Sequence, residues 1–277
     1  MINKTVNLKD FYPSLKNDVY LTSYCPSNFA EFSNGRKRKC VIVFPGGGYA
    51  FLSDREAEPV ALKFTANDIA SFVLKYSIYP NLSYPNPFLE ALAAVAYVKK
   101  HCDEYNVDKN KISVCGFSAG GHLAATTSAL QNSKEFADYL NVSTDDLQIA
   151  GCILGYPVIS NKIGHYGTFQ CFSNGDEALK ERFSVDKMVD EKYPKTFIWH
   201  TTFDGCVDVR NSLWLAEALS NHKVFYEMHI FPMHDHGQSL ADKSVYMDNY
   251  FDEKTFKELE YNTQWIDMAI HFVKEYV

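Results

Sequence analysis

The sequence predicts an α/β fold in which a mostly parallel central sheet carries helices on both faces. Short apolar runs alternate with stretches of helical periodicity, the order that builds parallel strands joined by crossover helices. The strand runs are almost continuously apolar rather than alternating, as strands covered on both faces are. A chain of 277 residues, 46% hydrophobic and 22% charged, has the size and composition for one such domain with an elaborated loop.

Near the start, "TVNLKDFY" and "VYLTSYCP" are candidates for an antiparallel leading pair. The expected parallel strands are "CVIVF" at 40–44, "IASFVLKYSI" at 69–78, "ISVCGF" at 112–117, "IAGCILGYPVI" at 149–159, "KTFIWHT" at 195–201 and "KVFYEMHIF" at 223–231. Helical spacing marks 56–67, 86–105, 119–131 and 210–222, and residues 254–276 read as one long helix docking through Trp265, Ile266, Ile270 and Phe272. The rhythm breaks at 160–194, a polar, glycine-containing and aromatic segment lying where a short helix would suffice. Long insertions on the C-terminal side of strands line or cover sites. The expectation is a single domain over 1–277 with a short cap-like insertion at about 160–194.

A formal net charge of -7 argues against a nucleic-acid surface, which needs clustered Lys and Arg; the one basic run, "GRKRKC" at 35–40, is short. The first residues, "MINKTVNLKDFYPSLK", contain no apolar signal-like core, and no apolar run is long enough to span a bilayer, so no membrane partner and a cytoplasmic location are expected. Seven scattered cysteines form no C-x-x-C pair and no zinc-ligand spacing, which suits reduced thiols in a reducing compartment and no metal.

The stretch "CGFSAGGH" at 115–122 holds Ser118 at G-x-S-x-G spacing, behind the run "KISVC" and ahead of the helical "AGGHLAATTSAL". That context turns a weak motif into a strand-to-helix elbow, with Gly116 and Gly120 where Cβ atoms would crowd a sharp turn and Ser118 held with its hydroxyl exposed. A serine at neutral pH needs a base. His236 in "FPMHDHGQSL" follows the last strand, and the next glycine lets the loop turn the imidazole inward; it is preferred to His234. His122, on the helix behind the serine, reads as a packing or capping residue. The imidazole in turn needs a carboxylate. Asp204, in the loop after "KTFIWHT", is preferred to Asp208, which reads as an acid at the start of the next helix. The order Ser118, Asp204, His236 along the chain is that of one of the three familiar triad arrangements. "VFPGGGYAF" supplies bare backbone amides after the first central strand, and Gly47 or Gly48 together with Ala119 are the expected donors to an oxyanion.

Together "FPGGGY", "VLKYSIYP", "KISVCGFSAGGHLAA", "LGYPVIS", "FIWHTTFDGCVDVRNSLWLAEAL" and "FPMHDHG" resemble the α/β-hydrolase esterases of the acetyl esterase and acetylxylan esterase type, kin to the hormone-sensitive-lipase group. The resemblance runs from about residue 38 to the end and implies the α/β-hydrolase fold. Motif by motif it places the nucleophile on Ser118, the acid on Asp204 and the base on His236. Two positions depart from the pattern: the oxyanion motif of the group opens with His where this chain has Pro45, so the anchoring of that loop must differ, and Val207-Asp208 stands where Val-Pro is common.

The expected activity is serine carboxylic-ester hydrolysis through an acyl-enzyme, without metal or cofactor. Amide hydrolysis of the arylformamidase or peptidase kind on the same fold, and non-catalytic ligand binding, are the alternatives. The resemblance implies a small-molecule ester with a short acyl group, acetylated carbohydrate being the single best guess. Tyr49, Phe117, Tyr156 and His200, with Tyr166, Phe169 and Phe172 of the insertion, are candidates for the pocket wall; core packing explains each equally well. Self-association as a homodimer is left open.

Overall fold

A computed structural model describes residues 1–277 apart from Gly164, Met233, Asn249 and the side chain of Tyr166. Eight strands, β1 (Thr5–Asn7), β2 (Tyr20–Tyr24), β3 (Arg38–Phe44), β4 (Ala70–Lys75), β5 (Val107–Phe117), β6 (Gly151–Gly155), β7 (Lys195–Thr201) and β8 (Tyr226–Phe231), form one sheet in the order β1-β2-β4-β3-β5-β6-β7-β8. The leading strands are antiparallel to each other and β2 is antiparallel to β4; every later pair is parallel. This is the α/β-hydrolase fold that the sequence led us to expect.

Helices α1 (Glu58–Ala66), α2 (Asn86–Lys100), α3 (Ser118–Leu130), α4 (Lys134–Leu140), α5 (Tyr166–Ser173), α6 (Glu177–Arg182), α7 (Arg210–Asn221), α8 (Glu253–Glu260) and α9 (Gln264–Tyr276) connect and cover the strands. Side chains alternate across a strand, so Ile42 joins one core with Leu92, Leu123, Val114 and Leu154, while Val41 and Val43 join the other with Val60, Phe64, Trp265 and Phe272. Both faces are therefore apolar, which is why the strand runs read as nearly unbroken hydrophobic segments. In the second core the indole of Trp265 stacks on Trp199 with centroids 4.9 Å apart, anchoring α9 beneath β7.

One expectation needs correction. The segment 254–276 is not one helix: α8 and α9 are separated by a 3-10 turn at Tyr261–Thr263, where Asn262 is drawn inward to donate to Gln238 Oε1 at 2.8 Å. Helix α4 had no counterpart in the sequence reading. Residues 160–194 leave the C-terminal end of β6 and contain α5, α6 and a 3-10 turn at Val185–Lys187. Among the described residues, no helix is long and apolar enough to cross a membrane.

Candidate active site

Parallel strands end on one edge, and Ser118, Asp204 and His236 follow the ends of β5, β7 and β8 on that edge. Strand β5 ends in Phe117 and α3 begins at once with Ser118, whose φ of 53° lies in the left-handed region. A non-glycine residue in that conformation is strained and persists only where its surroundings hold it. The surroundings do so through glycines: a Cβ at Gly116 would come within 2.1 Å of the Gly120 carbonyl oxygen, and one at Gly120 within 2.2 Å of the Phe44 carbonyl oxygen. The elbow, the start of α3 and the end of β3 are thus in backbone contact, and the amino end of α3 faces the serine hydroxyl.

Ser118 Oγ donates to His236 Nε2 at 2.8 Å, and His236 Nδ1 donates to Asp204 Oδ2 at 2.7 Å. His236 follows β8, and Gly237 turns the chain with φ +77°, as the glycine after the histidine suggested. His234 is turned elsewhere, with its Nε2 4.0 Å from Glu258. Asp204 follows β7. Its Oδ1 accepts the amides of Cys206 and Val207 at 2.9 and 2.8 Å, and its Oδ2 also lies 3.2 Å from His200 Nε2. Burial on its own would raise the Asp204 carboxyl, but the hydrogen bonds from His200 and His236, the attraction of His236 and the amide of Val207 outweigh it and hold the group well below the usual carboxylate range. Asp208 instead accepts from the amide and guanidinium of Arg210 at the start of α7.

Gly47 and Gly48 have φ of +127° and +62°, and the Gly47 carbonyl is turned back to accept the amides of Ala50 and Phe51. A Cβ at Gly47 would lie 2.1 Å from the Phe51 carbonyl oxygen, so only glycine fits there. Ala119, the other expected donor, is the second residue of α3. Gly47, Gly48, Ser118 and His236 border one cavity of about 720 Å³, which the insertion closes on another side with His165 and Cys171. Its rim carries Phe51, 60% exposed.

None of the residues expected on the pocket wall whose side chains are described borders the cavity. Tyr49, Phe117, Tyr156 and His200 are all buried, and Phe169 and Phe172 pack on His122; the side chain of Tyr166 lies outside the described residues. Each buried ring has a polar partner or a packing duty. Tyr49 donates to His122 Nδ1 at 3.1 Å, and His122 Nε2 donates to the Phe183 carbonyl at 2.9 Å, so this imidazole packs α3 against the insertion. Burial, opposed by that carbonyl, lowers His122 to about 4. His200 donates from Nε2 to the Val207 carbonyl at 2.9 Å, and its Nδ1 meets Ser212 Oγ at 2.8 Å. It lies beneath Asp204 rather than on the cavity wall.

Sequence reading missed Asp235. Its Oδ1 accepts both the Gly205 amide, at 2.8 Å, and the His236 amide, at 2.7 Å, tying the Asp204 loop to the His236 loop. The signal was present in "HDHG", between the two histidines that drew attention. Phe51 and Glu56 were also missed. Among the described residues, no group of three or more His, Cys, Asp or Glu side chains is placed to hold a metal ion. The seven cysteines are free thiols, with Cys206 exposed.

The fold is that of an α/β hydrolase, with Ser118 on a strand-to-helix elbow, and comparison with known proteins narrows the class further. A family model described as BD-FAE matches residues 28–163. The solved structure of an acetyl ester-xyloside bifunctional hydrolase from Caldicellulosiruptor lactoaceticus superposes with a TM-score of 0.79 at 32% identity, covering 98% of this chain and 95% of that one. A carboxylesterase from Lactobacillus plantarum WCFS1 superposes with a TM-score of 0.83 at 25% identity, over 99% and 96% of the two chains. In sequence, the chain is 32% identical over 235 residues to endo-1,4-beta-xylanase B of Butyrivibrio fibrisolvens, a match spanning 80% of this chain and 36% of the relative. It is 24% identical over 224 residues to the acetylxylan esterase of Xylanibacter ruminicola, spanning 76% and 43%. The chain therefore spans less than half the length of these curated relatives. It belongs to the α/β-hydrolase esterases of the acetyl esterase and acetylxylan esterase type.

Proposed function

We propose that this chain is a serine carboxylic-ester hydrolase for small esters of short acyl groups, with acetylated carbohydrate as the substrate class. The observation that carries the reading is the unbroken relay from Ser118 Oγ through His236 to the buried carboxylate of Asp204, opening on a cavity bordered by Gly47 and Gly48. In the first step His236 Nε2 takes the Ser118 proton while Oγ attacks the ester carbonyl. Asp204 fixes the tautomer with Nδ1 protonated and stabilises the imidazolium that forms. Amides of Gly47 or Gly48 and of Ala119 receive the developing oxyanion, and the alcohol leaves with the proton from His236. Water then enters, His236 takes its proton, and the acid departs as Ser118 is regenerated.

The similarity to an acetyl ester-xyloside bifunctional hydrolase and to an acetylxylan esterase favours acetyl esters on xylose-based carbohydrate. The exposed ring of Phe51 at the rim offers a sugar a flat apolar face outside the reacting centre. Residues 160–194 act as the cap of a single domain, contributing His165 and Cys171 to the wall.

Turnover of p-nitrophenyl acetate and labelling by a fluorophosphonate, compared between wild type and Ser118→Ala, test this reading. The wild type is expected to be labelled and to turn over, and the variant to show no labelling and a loss of at least about 10⁴-fold in kcat. Equal labelling or equal turnover would remove Ser118 from the mechanism. Deacetylation of acetylated xylo-oligosaccharides, set against p-nitrophenyl esters of rising acyl length and anilide analogues, tests the substrate class.

A further inference from the structure

Pro45 stands where a histidine was expected to anchor the glycine loop, and proline has neither an amide N–H nor a polar side chain to do so. The loop is anchored from another direction. Glu56, at the end of a 3-10 turn over Asp54–Glu56, is only 3% exposed although it stands in the charged stretch "SDREAE". Both of its oxygens are engaged: Oε2 accepts the Gly46 amide at 2.8 Å and Oε1 accepts the Tyr156 hydroxyl at 2.6 Å. Among the described residues, no cation forms an ion pair with it.

The two contacts lead to opposite sides of the cavity. Gly46 immediately precedes Gly47 and Gly48, and the fit there is close, since a Cβ at Gly46 would come within 2.6 Å of Glu56 Oε2 and 3.1 Å of Ser118 Cβ. Tyr156 presents its ring edge-on to His236, with centroids 4.8 Å apart, and its hydroxyl accepts the Ser239 amide at 2.8 Å. Ser239 lies on the same loop as His236, with φ of 52°, and its carbonyl accepts the Trp265 indole N–H at 2.8 Å. One buried side chain therefore spans the distance between the loop that would hold the oxyanion and the loop that carries the base.

We propose that Glu56 is a positioning residue that sets the glycine loop against His236, acting through Gly46 and Tyr156. The chemistry of the partners requires the carboxylate. The Gly46 amide can only donate, and Tyr156, already accepting from Ser239, donates to Glu56; a carboxylate accepts from both, whereas a glutamine of the same shape accepts from one and points an N–H₂ at the other. A bridge that slackens moves the amides relative to the Ser118 carbonyl adduct, and displacements on the scale of 1 Å cost rate rather than affinity. The consequence for turnover rests on the ester-hydrolase reading above; the bridge itself does not.

Glu56→Gln, Tyr156→Phe and the double variant test the proposal by two readouts. Hydrogen exchange of peptides covering 44–53 and 234–242 reads the bridge without any substrate, and faster exchange is expected in both segments of Glu56→Gln while peptides of β5 stay as in wild type. With p-nitrophenyl acetate, kcat is expected to fall about 10- to 100-fold with KM within about threefold. Tyr156→Phe is expected to shift both readouts in the same direction by less, and the double variant to match Glu56→Gln alone, because both changes break one connection. Unchanged exchange in the two segments overturns the bridge. A fall in kcat that merely tracks the loss of folded protein, or additive losses in the double variant, overturns the positioning role. Undiminished turnover by Ser118→Ala would count against the ester-hydrolase reading and leave the exchange result intact.

Discussion

At the scale of single residues, the contrast between Asp204 and Asp208 is the sharpest. The two acids are close in sequence and share one loop region, yet Asp204 has its side chain buried with four donors directed at it, while Asp208 lies at the surface with Arg210. Asp204→Asn is expected to lower kcat for p-nitrophenyl acetate by about 10³- to 10⁴-fold, since an amide can support the wrong imidazole tautomer. Asp208→Asn is expected to stay within about threefold of wild type, as exposed ion pairs contribute little. A larger loss from Asp208→Asn would reassign the acid. That Ser118, Asp204 and His236 come together was legible because each stands in a loop at the end of a strand of one parallel sheet. The pocket wall was not legible, because an aromatic letter does not say which face of the sheet it points to. Tyr156 and Phe51 each follow a strand, but one is fully covered and the other exposed. Glu56 was hidden for the opposite reason: in a run of charges an acid reads as solvated, and only the folded chain brings Gly46 and Tyr156 to it.

At the scale of elements, the strand ends were the most readable part of the fold. Strand β7 covers the run expected at 195–201, and β3, β4, β5, β6 and β8 each contain or fall within most of their apolar runs. Unbroken hydrophobic stretches mark strands buried on both sides, and glycine, asparagine and proline mark their ends. The interruption between α8 and α9 was not readable, because residues 261–263 stay in right-handed helical conformation and the change to tighter hydrogen bonding breaks no periodicity. The junction of β5 and α3 carries its own prediction. Gly120→Ala places a methyl group 2.2 Å from the Phe44 carbonyl oxygen and 2.4 Å from that of Pro45, both backbone atoms. The expected cost is about 2–3 kcal/mol or more, a fall in Tm on the order of 5–10 °C in a chain of this size. Calorimetry of the variant checks it, and an unchanged Tm would mean that α3 can shift away from β3 freely.

At the scale of the whole molecule, a buried acid outside the cavity links stability to pH. Glu90 of α2 is fully covered and accepts the Ser77 amide at 2.7 Å, with its other oxygen 2.6 Å from the Ser77 hydroxyl, pinning the chain just beyond β4 to the helix. Burial is the dominant influence and raises the carboxyl from 4.5 to about 7, against hydrogen bonds from Ser77 and Asn17 that lower it. An acid whose pKa is higher folded than unfolded keeps its proton in the native state between those two values. Its contribution is therefore complete below the unfolded value and is lost as pH rises toward the folded one, at up to about 1.4 kcal/mol per pH unit for one group. Denaturant unfolding between pH 5 and 7.5 should show wild type losing stability relative to Glu90→Gln as pH rises. Parallel curves for the two proteins would show that Glu90 ionises in the fold as easily as in the unfolded chain.

Strand β8 closes the sheet on one side, and its residues are mostly half-covered, unlike β6 and the Ile112–Phe117 half of β5, which are buried throughout. His236 lies on the loop that follows it, while Ser118 stands at the end of β5 in the middle of the sheet. The imidazole proposed as the base thus depends on the outermost strand and the proposed nucleophile on an inner one, so under the proposed mechanism activity and persistence of the interior are separable properties of this molecule. A chain whose outer strand has peeled away while β3, β5 and β6 stay paired would keep Ser118 on its elbow and lose His236 from beside it, and under the proposed mechanism it would not turn over an ester.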